Sequence, residues 1–135
     1  MRIALTSVFV NDQQAALDFY TEVLGFLPRR NIPLGTDARL TVVSPEWPHG
    51  AELLIEPVGH PAVKPYRDAL MKDGIALAQF AVDGIAFEHA RLTAKGVVFM
   101  LAPTDVGAAI VAVFDDTCGN LLQLIEEKAD AVPAD

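Results

Sequence analysis

Apolar residues recur along the chain with two periods, and each change of period marks the start of a new element. From Ile3 to Val10 they alternate, with β-branched residues on one side and Leu5, Ser7 and Phe9 on the other, the mark of a strand. At Asn11-Asp12 the period lengthens, and Ala16, Phe19, Tyr20, Val23 and Leu24 form one helical stripe. Asn11 or Asp12 can cap that helix through a side-chain oxygen, and Gly25 can end it in the left-handed conformation. Alternation then returns. Strands are expected from about Phe26 to Asn31, from Leu40 to Ser44 and from Ala51 to Glu56. They are separated by turn chemistry at Pro33–Asp37 and by a loop, Pro45–Gly50, that carries Trp47 and His49. In the last strand Leu53 and Ile55 share one face, and Glu52, Leu54 and Glu56 share the other. The order is β-α-β-β-β.

The plan then repeats. Gly59-His60-Pro61 and Pro65 mark a connector with a short helix from Tyr66 to Lys72, ending before Gly74. Leu77, Gln79 and Ala81 share one face of the next strand, Phe80 and Val82 the other. A helix is expected over Ile85–Lys95, capped by Asp83, with Ile85, His89 and Leu92 inward and Gly96 as its stop. Strands follow at Val97–Leu101, Ala108–Phe114 and Leu121–Ile125, with turns at Pro103–Asp105 and Asp115–Asn120. Asp12 to Gly25 and Asp83 to Gly96 are the same interval of thirteen positions, which points to an internal duplication. The expected fold class is α+β: two βαβββ modules forming a curved, mixed, mostly antiparallel sheet, with helices on its outer face and a groove inside. Module one spans about residues 1–58, the connector 59–74 and module two 75–126, leaving 127–135 as a flexible acidic tail.

Composition narrows the function. The chain has 135 residues, of which 52% are hydrophobic and 21% charged, enough apolar material for one domain with a core. No apolar run approaches the roughly twenty residues of a membrane span, and the start lacks a signal peptide's apolar centre, so a cytoplasmic protein is expected. The net charge of -8 argues against nucleic acid, whose backbone calls for clustered Lys and Arg; only Arg29-Arg30 are adjacent. The single cysteine, Cys118, can form no internal disulfide.

Val10-Asn11-Asp12, Ala16-Leu17-Asp18-Phe19-Tyr20 and Leu24-Gly25-Phe26, with the second Val82-Asp83 start and the Phe114-Asp115-Asp116-Thr117-Cys118-Gly119-Asn120 ending, resemble the vicinal oxygen chelate superfamily. That family includes glyoxalase I, extradiol dioxygenases and the bleomycin and fosfomycin resistance proteins. The resemblance covers residues 1 to about 126. It implies a homodimer and, in the enzymes, one divalent metal held by the first and last strands of each module. Carried over by position, those ligands fall on Leu5, Glu56, Leu77 and Gln123. Leucine has no donor atom, and one carboxylate with one amide falls short of a transition-metal site, so no metal or other cofactor is expected.

The remaining candidates suit binding. Glu56 can accept a hydrogen bond from a ligand or act as a base, or it can simply stand in water at a strand end. Gln79 and Gln123 can orient a ligand, or bond to each other. Trp47 and Phe9 can stack on a flat molecule or pack internally. His49, His60 and His89 do not form a ligand set, and Cys118 has no neighbour in sequence to activate it. The expectation is a metal-free, small-molecule-binding homodimer with Leu5, Ser7, Phe9, Trp47, Glu56, Leu77, Gln79 and Gln123 around its ligand. The alternative is a metal-dependent glyoxalase-like lyase or isomerase, or a dioxygenase, with Glu56 in the active site.

Overall fold

The computed structural model describes residues 1–129. Two compact units emerge: one is Met1–Ala69 with Thr117–Gly119, the other begins at Leu70 and takes in the remainder of the second repeat. Each holds its own four-stranded sheet and its own core.

In the first unit β1 (Leu5–Val10), β2 (Leu27–Leu34), β3 (Asp37–Val43) and β4 (Glu52–Pro57) lie in the order β1-β4-β3-β2, with β1 and β4 parallel and the other pairs antiparallel. The even residues of β1, Val8 and Val10, are fully buried with Ile55, Leu40 and Val42 and with Ala16 and Tyr20 of the helix. Leu5, Ser7 and Phe9 alternate to the other face, where they are half-buried. The second unit repeats this order with β5 (Ala78–Ala81), β6 (Phe99–Asp105), β7 (Ala109–Asp115) and β8 (Leu121–Glu127) as β5-β8-β7-β6. Its core gathers Ile85 and Leu92 of the helix with Ala112, Phe114, Leu122 and Leu124.

The duplication extends to an irregularity. The β2·β3 register slips between Pro28 and Arg30, and the β6·β7 register slips at the matching place, between Phe99 and Leu101, and once more between Leu101 and Thr104, where the first half has no equivalent. A bulge in the same place in both halves gives corresponding rows across the two sheets. Arg30, Thr41, Leu54 and Ser7 form one; Leu101, Val113, Gln123 and Gln79 form the other.

Several boundaries differ from the periodicity. The first helix begins as α1 (Gln13–Asp18), with the Asp12 carboxylate accepting the Ala15 N–H at 3.0 Å, but continues as a π-helical turn, Phe19–Val23. The Thr21 hydroxyl donates to the Leu17 carbonyl at 2.7 Å, where the backbone ladder widens. Gly25 ends the helix at φ +94°. Pro33-Leu34, expected in a turn, belongs to β2: on an edge strand the missing N–H of proline costs no ladder bond, and only Gly35-Thr36 make the hairpin turn. Pro103–Asp105 likewise belong to β6 rather than to a turn. The connector helix, α2, is longer than expected, Val63–Lys72.

The second long helix, α3 (Ile85–Ala94), is not capped by Asp83. Its N-cap residue is Gly84, and the Ile85 N–H donates at 2.9 Å to the carboxylate of Glu126, which reaches over from β8. Glu126 and Glu127 are therefore strand residues, and Lys128 pairs with Asp105 at 2.7 Å, so the sheet runs into the expected tail. Residues 130–135 of that tail lie outside the described residues.

Candidate functional site

Each sheet has one face turned to its helix and an opposite, open face that carries the polar side chains, with Thr41, Leu54 and Val113 buried on it. In the first unit the pairing Leu5↔Glu52, Ser7↔Leu54 and Phe9↔Glu56 puts all six residues on the open face. Glu52 is engaged there. Its Oε1 accepts from the Thr41 hydroxyl at 2.7 Å and from Arg30 Nε at 2.9 Å. The Thr41 hydroxyl first, then Arg30, holds the Glu52 carboxyl below its usual value of 4.5. Glu56 stands opposite Phe9, half-buried, and no hydrogen bond or ion pair within the described residues holds its carboxylate. Leu5 and Glu56 are four strand positions apart, roughly 13 Å at about 3.3 Å each. The carboxylate beside Leu5 is Glu52, which the resemblance did not mark.

In the second unit Gln79 and Gln123 are directly opposed, and Gln123 Nε2 donates to Gln79 Oε1 at 2.6 Å. Of the two readings of this pair, mutual bonding is the one realised. Leu77 precedes them, its N–H bonded to the Leu121 carbonyl at 2.8 Å, and with Val113 they line a cavity of about 390 Å³. Each amide keeps one donor or acceptor set free by this arrangement: Gln79 its NH₂ and Gln123 its carbonyl.

Trp47 is a member of neither row. It is 65% exposed in the loop between β3 and β4, at a cavity of about 250 Å³ shared with Arg29, Arg30, His49 and Glu52. The other histidines serve structure: His60 Nδ1 accepts the Ala62 N–H at 3.0 Å, and His89 packs edge-on against Phe99 at 4.5 Å. Cys118 is buried at 3% exposure.

Residue periodicity also left Arg67 unnoticed. This α2 arginine is 5% exposed and donates to the carbonyls of Phe9 (2.8 Å) and Cys118 (3.0 Å) and to Asn11 Oδ1 (2.6 Å). No ionised oxygen among the described residues meets it. Its signal in the sequence is only an arginine on an otherwise amphipathic helix, which ordinarily means a solvated side chain.

The donor inventory is thin. Among the described residues no three His, Cys, Asp or Glu side chains converge as a metal site would require. Leu5 and Leu77 offer no electron pair, Gln79 and Gln123 are bonded to each other, and Glu52 is held by Thr41 and Arg30. No helix among these residues is long and apolar enough to cross a membrane.

The chain is 46% identical over 127 residues to the Bacillus subtilis (strain 168) protein YurT, covering 94% of this chain and 100% of YurT. The crystal structure of UcmS2 superposes with a TM-score of 0.79 at 31% identity, covering 93% of this chain and 97% of that one. TnmS3, described as an antibiotic binding protein from Streptomyces sp. CB03234, has a TM-score of 0.77 at 24% identity, with 95% and 97% covered, and so shares the fold. The family model of the Glyoxalase/Bleomycin resistance protein/Dioxygenase superfamily matches residues 2–124. With both modules, their order and nearly the whole length accounted for, this chain belongs to the Glyoxalase/Bleomycin resistance protein/Dioxygenase superfamily.

Proposed function

We propose that the protein is a metal-free small-molecule-binding member of this superfamily, a cytoplasmic homodimer that takes up a partly aromatic or amphipathic ligand on the open sheet faces. The observation that carries this reading is the Gln79–Gln123 pair. At Gln123, where the resemblance implies a Glu in metal-dependent relatives, the chain sets a neutral amide against that of Gln79, with Leu77 beside them, around a cavity of about 390 Å³. An amide pair beside the side chains of Leu77 and Val113 can orient a neutral ligand through its free donor and acceptor; it is a poor cage for zinc, nickel, manganese or iron. TnmS3, described as an antibiotic binding protein, has the same fold, which supports this reading.

Elemental analysis of protein purified without chelator tests the proposal. The expected result is no stoichiometric transition metal after dialysis, and no turnover of the methylglyoxal–glutathione adduct or of a catechol when zinc, nickel, manganese or iron is added. Retained stoichiometric metal with turnover would overturn it. A second reading, a metal-dependent lyase or dioxygenase, draws on Glu56, whose carboxylate is left unengaged on the open face beside Phe9. Under that reading Glu56→Gln abolishes turnover while the fold persists.

A further inference from the structure

The cavity around Trp47 is chemically unlike the one around Gln79 and Gln123. Three of the chain's ten Lys and Arg residues, Arg2, Arg29 and Arg30, line it, in a protein whose net charge is -8. Glu52 is the carboxylate on that wall, and it is already paired with Arg30 at 2.9 Å. Arg2 and Arg29 have no hydrogen-bond or ion-pair partner among the described residues, so the cavity carries an excess of positive charge against the sign of the whole molecule.

Trp47 adds an aromatic surface on a loop whose backbone is held. Its backbone N–H donates to the Ser44 carbonyl and its backbone carbonyl accepts from the Gly50 N–H, both at 3.0 Å. The indole lies against Gly50 so closely that a Cβ there would overlap the ring. Gly50 thus lies against the ring, while the side chain stays 65% exposed. An exposed indole in one cavity with the guanidinium groups of Arg2 and Arg29 offers stacking and bidentate anion recognition at once.

We propose that this cavity is a binding site for a small aromatic carboxylate, its ring stacked on Trp47 and its carboxylate held by Arg2 and Arg29. The volume of about 250 Å³ falls below the range of about 300–1,000 Å³ typical of drug-sized ligands, which suits a one- or two-ring acid. The site is distinct from the amide-lined cavity, and it stands whatever the metal content of the protein.

Trp47 is the chain's single tryptophan, so its fluorescence and its one indole N–H resonance report on this cavity alone. The test titrates 2-naphthoate and uncharged 2-naphthamide into the full-length protein, reading the indole N–H shift and the heat of binding. The expected result is a saturable shift with 2-naphthoate, at least tenfold weaker with 2-naphthamide and weakened by added salt. The double variant Arg2→Ala/Arg29→Ala should lose the binding. These two side chains are exposed, so their removal leaves the fold intact, as circular dichroism would verify. Gln123→Leu should bind 2-naphthoate as the parent does, which separates this site from the amide pair. No saturable shift, equal binding of acid and amide, or full binding by the double variant would overturn the proposal.

Discussion

Arg67 is the residue whose removal should cost the protein most for its size. It brings a full charge into a position 5% exposed and answers it with two carbonyl oxygens and one amide oxygen. Arg67→Met would remove the guanidinium from all three acceptors and should destabilise by about 2–4 kcal/mol in urea unfolding. Gly119 supports the same contact. Its φ is +102°, and a Cβ there would stand 2.7 Å from Arg67 Nη1, so Gly119→Ala should cost more than about 1 kcal/mol in the same assay. Glu52 governs a different observable. Its folded-state carboxyl lies below 4.5, so its pairing stabilises the fold above that pH and the contribution fades as pH falls through the folded value. The fall in Tm on acidification should therefore be shallower in Glu52→Gln than in the parent, and a parallel fall in both would refute the assignment.

Among elements, the two long helices show how far periodicity carries and where it stops. Local chemistry suffices for α1: Asp12 caps it from one residue away, and Asp12→Ala should lose about 1 kcal/mol. For α3 the cap is Glu126, forty-one positions from the Ile85 N–H it accepts, and Asp83 does not serve. Sequence spacing could not find it, because a carboxylate on a later strand looks like tail acidity until the strand is folded. Glu126→Ala should destabilise α3 by about 1 kcal/mol, whereas Asp83→Ala should be close to neutral, a contrast that hydrogen exchange of the first helical turn would reveal. The π-helical turn after Asp18 escaped for the same class of reason: apolar spacing fixes which face is buried but not whether the ladder widens. Gln13 is a further case. Its side chain bonds both the N–H and the carbonyl of Ala38 and also the Ile55 carbonyl, stitching α1 to β3 and β4 through a residue that the helical stripe treats as solvent-facing.

At the scale of the whole chain, the alternation in β1, β4, β5 and β8 was enough to separate core from open face, and Leu5, Ser7, Phe9, Leu54, Glu56, Gln79 and Gln123 follow it. The pairing between strands was not legible. It depends on how far each strand slides against its neighbour, and the bulges at Pro28/Arg30 and Phe99/Leu101 carry no mark in the sequence. For that reason Glu52 went unnoticed beside Leu5, and the cluster it forms with Thr41 and Arg30 emerges only once the strands are aligned.

The matched bulges have a consequence for how such a molecule can change. Along the rows that the matched bulges align, positions in the first half have counterparts in the second, and Leu54 answers to Gln123 as Ser7 answers to Gln79. The largest fully buried side chains, Tyr20, Phe114, Ile55, Ile85, Leu92 and Leu122, lie outside those rows. Chemistry can therefore be exchanged between the halves, or rewritten in one of them, while the architecture that bears it is left undisturbed.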